Sequence, residues 1–195
     1  MIKIAICGQL RAGKDEVANR IYHTHDYFEK LAFGDALKRL YHELLPWVPT
    51  EPKPRAGYQQ FGQLAREQFG EDIWIRHAER MLGFYERVKR PDGVLITDLR
   101  QPNEYEWARA NGWTIVRVTA PDELRLARAK SAGDQFDAKD LAHDTEQHVA
   151  GFAVDYELIN DGTIDELHAK VDAMMGELKG AVEWSAVLTM TVVYY

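Results

Sequence analysis

Apolar positions along this chain keep two rhythms. Residues 2–7, 93–96 and 114–119 are short, nearly unbroken apolar runs rich in Ile, Val and Leu, the mark of strands buried on both faces, and 28–33 and 156–160 read as two more. Between these runs apolar residues recur every three or four positions. Val17, Ala18 and Ile21 follow Lys14 in this way, with Asp15 and Glu16 in the first turn, where a helix dipole favours negative charge. Asp35 opens a second helix through Ala36, Leu37, Leu40, Leu44 and Leu45 that Pro46 should stop. Residues 57–70 and 72–90 predict two more, parted near Gly70, the second with Ile73, Ile75, Met81 and Leu82 among its apolar positions. Pro102 begins a helix reaching Asn111-Gly112, and Pro121-Asp122 begins another through about Lys130. Thr163-x-x-Glu166 is a capping box launching the last, with Ile164, Leu167, Val171 and Met174 on its apolar face.

Three stretches keep neither rhythm. Pro46, Pro49, Pro52 and Pro54 crowd into a stiff, exposed connection placed to frame a cleft. Residues 131–147 are polar and weakly patterned, as befits a loop over a site. The tail VEWSAVLTMTVVYY is apolar and β-branched and reads as an added edge strand or as a contact with a second copy, which would make a homodimer. Elsewhere strands and helices alternate, so the sheet is parallel with helices on both faces, and ligands bind beyond the carboxyl ends of its strands. A length of 195 residues leaves room for one such core, here residues 1–180.

Charge and cysteine content narrow the partners. With 24 Lys and Arg against 31 Asp and Glu, a net charge of −7 disfavours broad adhesion to polymeric nucleic acid or an anionic membrane, so an anionic ligand needs a local basic pocket. The lone Cys7 forms no intrachain disulfide and no Cys/His cluster has zinc spacing, which fits a reducing cytoplasm. The opening apolar run is too short for a signal segment or a membrane span.

The strongest chemical signal is Gly8-Gln9-Leu10-Arg11-Ala12-Gly13-Lys14, the G-x-x-x-x-G-K frame set between an apolar strand and a helix start. Glycines let the backbone curl so that N–H groups converge on phosphate oxygens, the helix start adds positive potential, and Lys14 neutralises the outer phosphates. Asp15 stands where such loops usually carry Ser or Thr for magnesium; it reads either as a hard-oxygen metal ligand or simply as a favourable charge at a helix start. Asp98 and Arg100 follow an apolar strand and should face the cleft, Arg100 forking onto a phosphate and Asp98 orienting it or a magnesium-bound water. The plainer alternative is an ion pair pinning the strand end. His143 and His148 have no partner at metal-ligand spacing.

GQLRAGKD, then ITDLRQPNEYEWARANGWTIVRV, then HDTEQ and YELINDGTIDEL together resemble the deoxynucleoside monophosphate kinases of tailed bacteriophages, and animal phosphomevalonate kinase is similar in the same places. The resemblance runs from about residue 2 to 178. It implies a three-layer α/β/α P-loop kinase fold with a parallel sheet, acceptor-binding helices over 57–90 and a short lid over 125–147. The expected nucleotide contacts are Gly8, Arg11, Ala12, Gly13, Lys14, Asp15 and Glu16, with Arg125 and Arg128 as lid arginines and Asn160 and Gly162 beside the adenine. Asp98, Arg100 and Gln101 would meet an acceptor monophosphate, with Gln60, Arg66 and Trp74 around it. Trp74 stacks a base on this view, whereas its neighbours Ile73 and Ile75 favour a core position. Asp144 and Glu146 match the family's acidic motif, which would fix lid or metal, but the plainer and favoured reading is a helix cap or solvated charge.

The expected activity is transfer of the ATP γ-phosphoryl to a nucleoside or deoxynucleoside monophosphate, catalysed by Lys14, Asp98, Arg100 and Arg128 with magnesium held by Asp15 and Asp98. The partner is then a small molecule and the compartment the cytoplasm, that of the host if the chain is phage-encoded. Phosphomevalonate and dephospho-coenzyme A are alternative acceptors, and a non-catalytic ATP-binding switch is the rival of a different class.

Overall fold

The computed structural model describes residues 1–25, 27–131 and 144–192. Five strands, β1 (Ile2–Gly8), β2 (Phe28–Leu31), β3 (Gly93–Ile96), β4 (Thr114–Thr119) and β5 (Tyr156–Ile159), form one sheet in the order β2-β3-β1-β4-β5. Every pairing is parallel. The helices are α1 (Lys14–Thr24), α2 (Phe33–Leu44), α3 (Arg55–Phe69), α4 (Ile73–Phe84), α5 (Pro102–Ala110), α6 (Asp122–Ser131), α7 (Asp144–Gly151) and α8 (Ile164–Val192).

Side-chain alternation along β1 divides the core. Ile4 and Ile6 pack with Val17 and Ile21 of α1 and Leu167, Val171 and Met175 of α8. Ala5 and Cys7 face the other way, toward Phe33, Trp74, Ile75 and Ala108. A sheet buried on both faces can afford no polar side chain at these positions, which is why β1 reads as a continuous apolar run. The Cys7 thiol is fully buried there, and burial pushes it up to about 11, so it behaves as a small hydrophobe. Arg20 of α1 forks onto Asp172 of α8 at 3.0 and 2.5 Å, and His25 adds a contact at 3.1 Å. Together they hold the Asp172 carboxyl down to about 2 and tie the helix that follows the glycine loop to the longest helix of the chain.

Three expectations change. The second strand ends at Leu31 and α2 starts at Phe33, two residues earlier than Asp35, because a carboxylate from the end of β3 takes its opening N–H groups. α4 runs into a wider π-helical turn over Tyr85–Lys89 that Arg90 closes at φ 49°, so residues 72–90 are not one regular helix. The tail is no edge strand: residues 181–192 continue α8. No proline interrupts that run, and extending a formed helix by one hydrogen bond per residue overrides the weak strand preference of its β-branched residues. Of the expected polar loop, residues 132–143 lie outside the described residues, and from Asp144 the backbone is the helix α7. No helix among the described residues is long and apolar enough to cross a membrane.

Candidate active site

β1 delivers the chain into the glycine loop at the carboxyl end of the sheet. Gly8 lies at φ +148°, and a Cβ there would collide with the Val118 carbonyl oxygen of β4. The turn closes with Ala12 N donating to Gln9 O at 3.2 Å, with Arg11 at φ 59° and Gly13 at φ 107°. Gly13 is the N-cap of α1, and no side-chain hydrogen bond caps that helix, so its first amides are left to a ligand. Lys14 lies back across the loop, its Nζ donating to Gly8 O at 2.6 Å and Gln9 O at 2.8 Å.

Later elements brace the curl from outside. Asn160, buried just past β5, donates Nδ2 to Ala12 O at 2.8 Å and its backbone N to Thr119 O at 2.7 Å. It sits so close that a Cβ on Gly13 would strike its amide. Arg125 of α6 is buried and donates Nε to Leu10 O at 2.9 Å and Nη1 to Gln9 Oε1 and Asp122 Oδ1, both at 2.7 Å. Arg128, one turn on, reaches Arg11 O at 3.4 Å and Asn160 Oδ1 at 3.2 Å and also lines the cleft. Arg125 and Asn160, expected against the nucleotide, brace the loop from outside and do not line the cleft. Gly162 belongs to the exposed turn before the capping box, where Thr163 N donates to Glu166 Oε2 at 2.7 Å.

In front of the loop opens a cleft of about 1080 Å³. Arg11, Lys14, Asp15 and Glu16 line it from the loop and the start of α1, and Arg66, Arg100, Gln101 and Trp74 line it from α3, α4 and the turn after β3. Arg66 and Arg100 reach the cleft from α3 and from the turn after β3, and neither guanidinium makes a hydrogen bond or ion pair with a described residue. Glu16 bonds His168 Nε2 at 2.6 Å, which ties its carboxylate to α8. Trp74 is buried with Phe61 and His77, its Nε1 donating to Gly62 O at 3.4 Å, so its main role is core and only an edge borders the cleft. Gln60 lies one position off: it lines an outer groove with Gln63 and Leu64 and does not reach the cleft, whereas its neighbour Gln59 borders both.

Asp98 differs most from its expected role. Its Oδ1 accepts Phe33 N at 2.8 Å and its Oδ2 accepts Gly34 N at 2.9 Å, so both oxygens are engaged by the start of α2. Burial pushes its carboxyl up from the ordinary range although those two amides favour the charged form. Among the described residues no three His, Cys, Asp or Glu side chains gather as a metal shell. His148 is exposed on α7 and does not line the cleft, and His143 lies outside the described residues. Asp144 and Glu146 fall on the α7 backbone, and their side chains lie outside the described residues.

The sequence reading missed five contributors. Lys38 of α2 lines the cleft, as do Thr50 and Lys53 of the proline-rich connection, whose framing role was legible but whose lining side chains were not, and Arg55 at the start of α3. The last is Glu104, 5% exposed, whose Oε2 accepts Arg100 N and Gln101 N at 3.0 Å each and so fixes the turn that carries Arg100. Burial, aided by the nearby Asp98 charge, pushes its carboxyl up to about 7. The folded chain therefore binds this proton more tightly than the unfolded chain, and stability falls as pH rises from the ordinary carboxylate range through about 7. Glu104→Gln keeps an oxygen for the two amides and removes the cost of ionisation, on the order of 3 kcal/mol above neutrality. The melting temperatures of variant and wild type should be close near pH 5 and separate by several degrees near pH 8, the variant higher; a gap independent of pH would remove Glu104 as the titrating group.

No protein-family profile matches the chain, and no curated protein matches it in sequence. Solved structures do match. The Thermus thermophilus protein TT1252 is 21% identical, with 91% of this chain and 97% of that one covered at a TM-score of 0.55. Shikimate kinase from Bacteroides thetaiotaomicron is 13% identical over 90% and 98% at 0.55, and that from Aquifex aeolicus 14% over 93% and 98% at 0.52. The chain has the α/β fold of these P-loop kinases, with the glycine loop on the first, central strand.

Proposed function

We propose that the chain transfers the γ-phosphoryl group of ATP to a nucleoside or deoxynucleoside monophosphate. The observation that carries this reading is the pair of guanidinium groups, Arg66 and Arg100, that face a glycine loop across one cleft without a hydrogen bond or ion pair to any described residue. Arg66 feels the Glu104 carboxyl and Arg100 the Asp98 carboxyl, but a planar guanidinium beside a cleft with no hydrogen bond of its own still has its fork open to an anion such as phosphate. A switch that only senses ATP has no use for a second anion site there. The resemblance to the phage deoxynucleoside monophosphate kinases puts a nucleotide acceptor first, with phosphomevalonate and dephospho-coenzyme A as the alternatives.

On this reading the loop amides and Lys14 hold the triphosphate, Lys14 exchanging the Gly8 and Gln9 carbonyls for phosphate oxygens. Arg128 lies at the same end of the cleft, ready to match charge on the transferring group. Arg66 and Arg100 hold the acceptor phosphate, whose anionic oxygen attacks the γ-phosphorus while the bond to the bridging oxygen breaks and ADP leaves. No general base is required because the attacking oxygen carries no proton. The exposed Asp15, next to Lys14 on the cleft wall, is a hard-oxygen donor that fits magnesium, with phosphate oxygens completing the shell. Bound there, the ion would neutralise phosphate charge.

The test is conversion of a panel of nucleoside and deoxynucleoside monophosphates, with phosphomevalonate and dephospho-coenzyme A included, by purified chain with ATP and magnesium. Turnover of a monophosphate is expected; none across the nucleotides would sink the assignment. Arg100→Ala should raise the acceptor KM by about 10- to 100-fold, the worth of one or two charge-assisted hydrogen bonds, and leave the ATP KM within a factor of about two. An unchanged acceptor KM takes Arg100 out of the site.

A further inference from the structure

We infer that Lys38 is an acceptor-binding residue of this cleft and that Asp98 is the positioning residue that places it, rather than a ligand of metal or substrate. The inference rests on the kinase reading above and extends it to two residues on which the glycine motif says nothing.

α2 has no side chain of its own at its N-cap, which is Ala32. Its first two amides are taken by Asp98 from the end of β3, one on each carboxylate oxygen, and Ala32 N is taken by Asp35 Oδ2 at 3.1 Å. The carboxylate thus caps α2 across the sheet, 65 and 64 residues away in sequence, and sets both the direction and the rotation of the helix. Rotation decides what the helix offers the cleft. Residues four apart share a helix face, so the face that meets Asp98 at Gly34 carries Lys38 one turn later. The convergence is close: a Cβ added at Gly34 would lie 3.2 Å from Asp98 Oδ2, 3.5 Å from Lys38 Cε and 3.6 Å from Lys38 Nζ.

Lys38 Nζ is left with little to hold it. Its ion pair is with Asp35 at 4.0 Å, between side chains more than half exposed, and such pairs constrain a lysine weakly. Beside Lys53 and Arg55, which also border the cleft, it therefore joins Arg66 and Arg100, these three coming from different elements: α2, α3 and the turn after β3. Three cations from three directions suit a phosphate dianion, with an oxygen for each, better than a singly charged carboxylate. Asp98 is already committed. Both oxygens accept backbone N–H groups, and its remaining charge faces Lys38 and Arg100.

The experiment uses the full chain with ATP, magnesium and the best monophosphate of the panel. Lys38→Met should raise the acceptor KM about 10-fold or more with the ATP KM unchanged, and Lys38→Arg should recover most of the loss. Asp98→Asn keeps one acceptor oxygen and turns an NH₂ toward the other amide; it should raise the acceptor KM while leaving the magnesium concentration for half-maximal rate unchanged. Placed on Lys38→Met, it should add much less than it does alone, as expected for residues acting as one unit. If Asp98→Asn does not fold, Gly34→Ala tests the same junction, since its methyl group presses on both Asp98 and Lys38 at a position where alanine suits a helix. An active Lys38→Met chain with a wild-type acceptor KM overturns the role of Lys38, and a raised magnesium requirement in the Asp98 variant makes Asp98 a metal ligand and overturns its positioning role. A wild-type chain that turns over no acceptor refutes the proposed function instead; in that case the same variants are compared by titrating inorganic phosphate into chain saturated with a non-hydrolysable ATP analogue, where phosphate binding that Lys38→Met leaves unchanged overturns this inference too.

Discussion

Lys14→Ala is expected to leave a folded chain whose phosphoryl transfer is slower by at least about 10²–10³-fold, the usual loss when one preorganised charge partner of a transition state is removed. The two expectations are separable because the loop does not depend on its lysine for shape. Lys14 Nζ bonds Gly8 O and Gln9 O, but Asn160 holds Ala12 O, Arg125 holds Leu10 O and Arg128 holds Arg11 O. Removing the lysine costs about 1 kcal/mol, the net worth of such hydrogen bonds, and the half-buried carbonyls it leaves are reached by water. For phosphate the lysine has no such substitute, since its ammonium lies against the loop carbonyls of Gly8 and Gln9 at the foot of the curl. Thermal unfolding and kcat measured on one preparation decide the matter. A retained rate would show that no triphosphate sits against Lys14, and a collapse in melting temperature would make the lysine a structural brace.

What the sequence reveals about this molecule is whatever is local in the chain. The glycine frame, the apolar run before it and the helix after it fall within residues 2–24, and the structure has strand, loop and helix there in that order. The Ile4–Cys7 run of β1 and the whole of β3 were legible because strands buried on both faces admit no polar break, and α5 because Pro102 fits a first turn. The start of α2 was not legible, since the group that fixes it, Asp98, belongs to another strand and no propensity at Phe33 announces it. Phase errors have the same origin. One residue turns a helix by about 100°, so of two adjacent glutamines Gln59 borders the cleft as well as the outer groove and Gln60 borders the groove alone. Arg125 and Arg128 share a helix face yet differ in depth: the first is buried against loop carbonyls, while the second also borders the cleft. Depth depends on how α6 lies against the loop, which is a tertiary fact. The tail shows the converse, a local preference for strand overruled because α8 was already formed when the chain reached it.

Gly8→Ala is the substitution expected to cost the fold most. At φ +148° the backbone is in a region that L side chains rarely adopt, which by itself costs about 1–3 kcal/mol. Space makes it worse, for the added methyl runs into the Val118 carbonyl oxygen, with Val118 C at 3.2 Å and N at 3.3 Å behind it. These are backbone atoms of the strand paired with β1, and Gly8 is in register with Val118 itself, so nothing can swing aside as a side-chain tip would. Relief requires β1 and β4 to part at the end of the sheet where the loop begins. A loss of about 3–5 kcal/mol follows, a fall in melting temperature of roughly 6–20 °C for a chain of this size. Gly112→Ala is the control: Gly112 also has a positive φ, +70°, but a Cβ there meets nothing within 4 Å, so only the backbone term of about 1 kcal/mol applies. Gly8→Ala should also weaken ATP binding, since the Gly8 carbonyl that receives Lys14 moves with the strand end. Equal melting losses in the two variants would mean that Val118 yields freely and that the close approach of β4 does not fix the mouth of the loop.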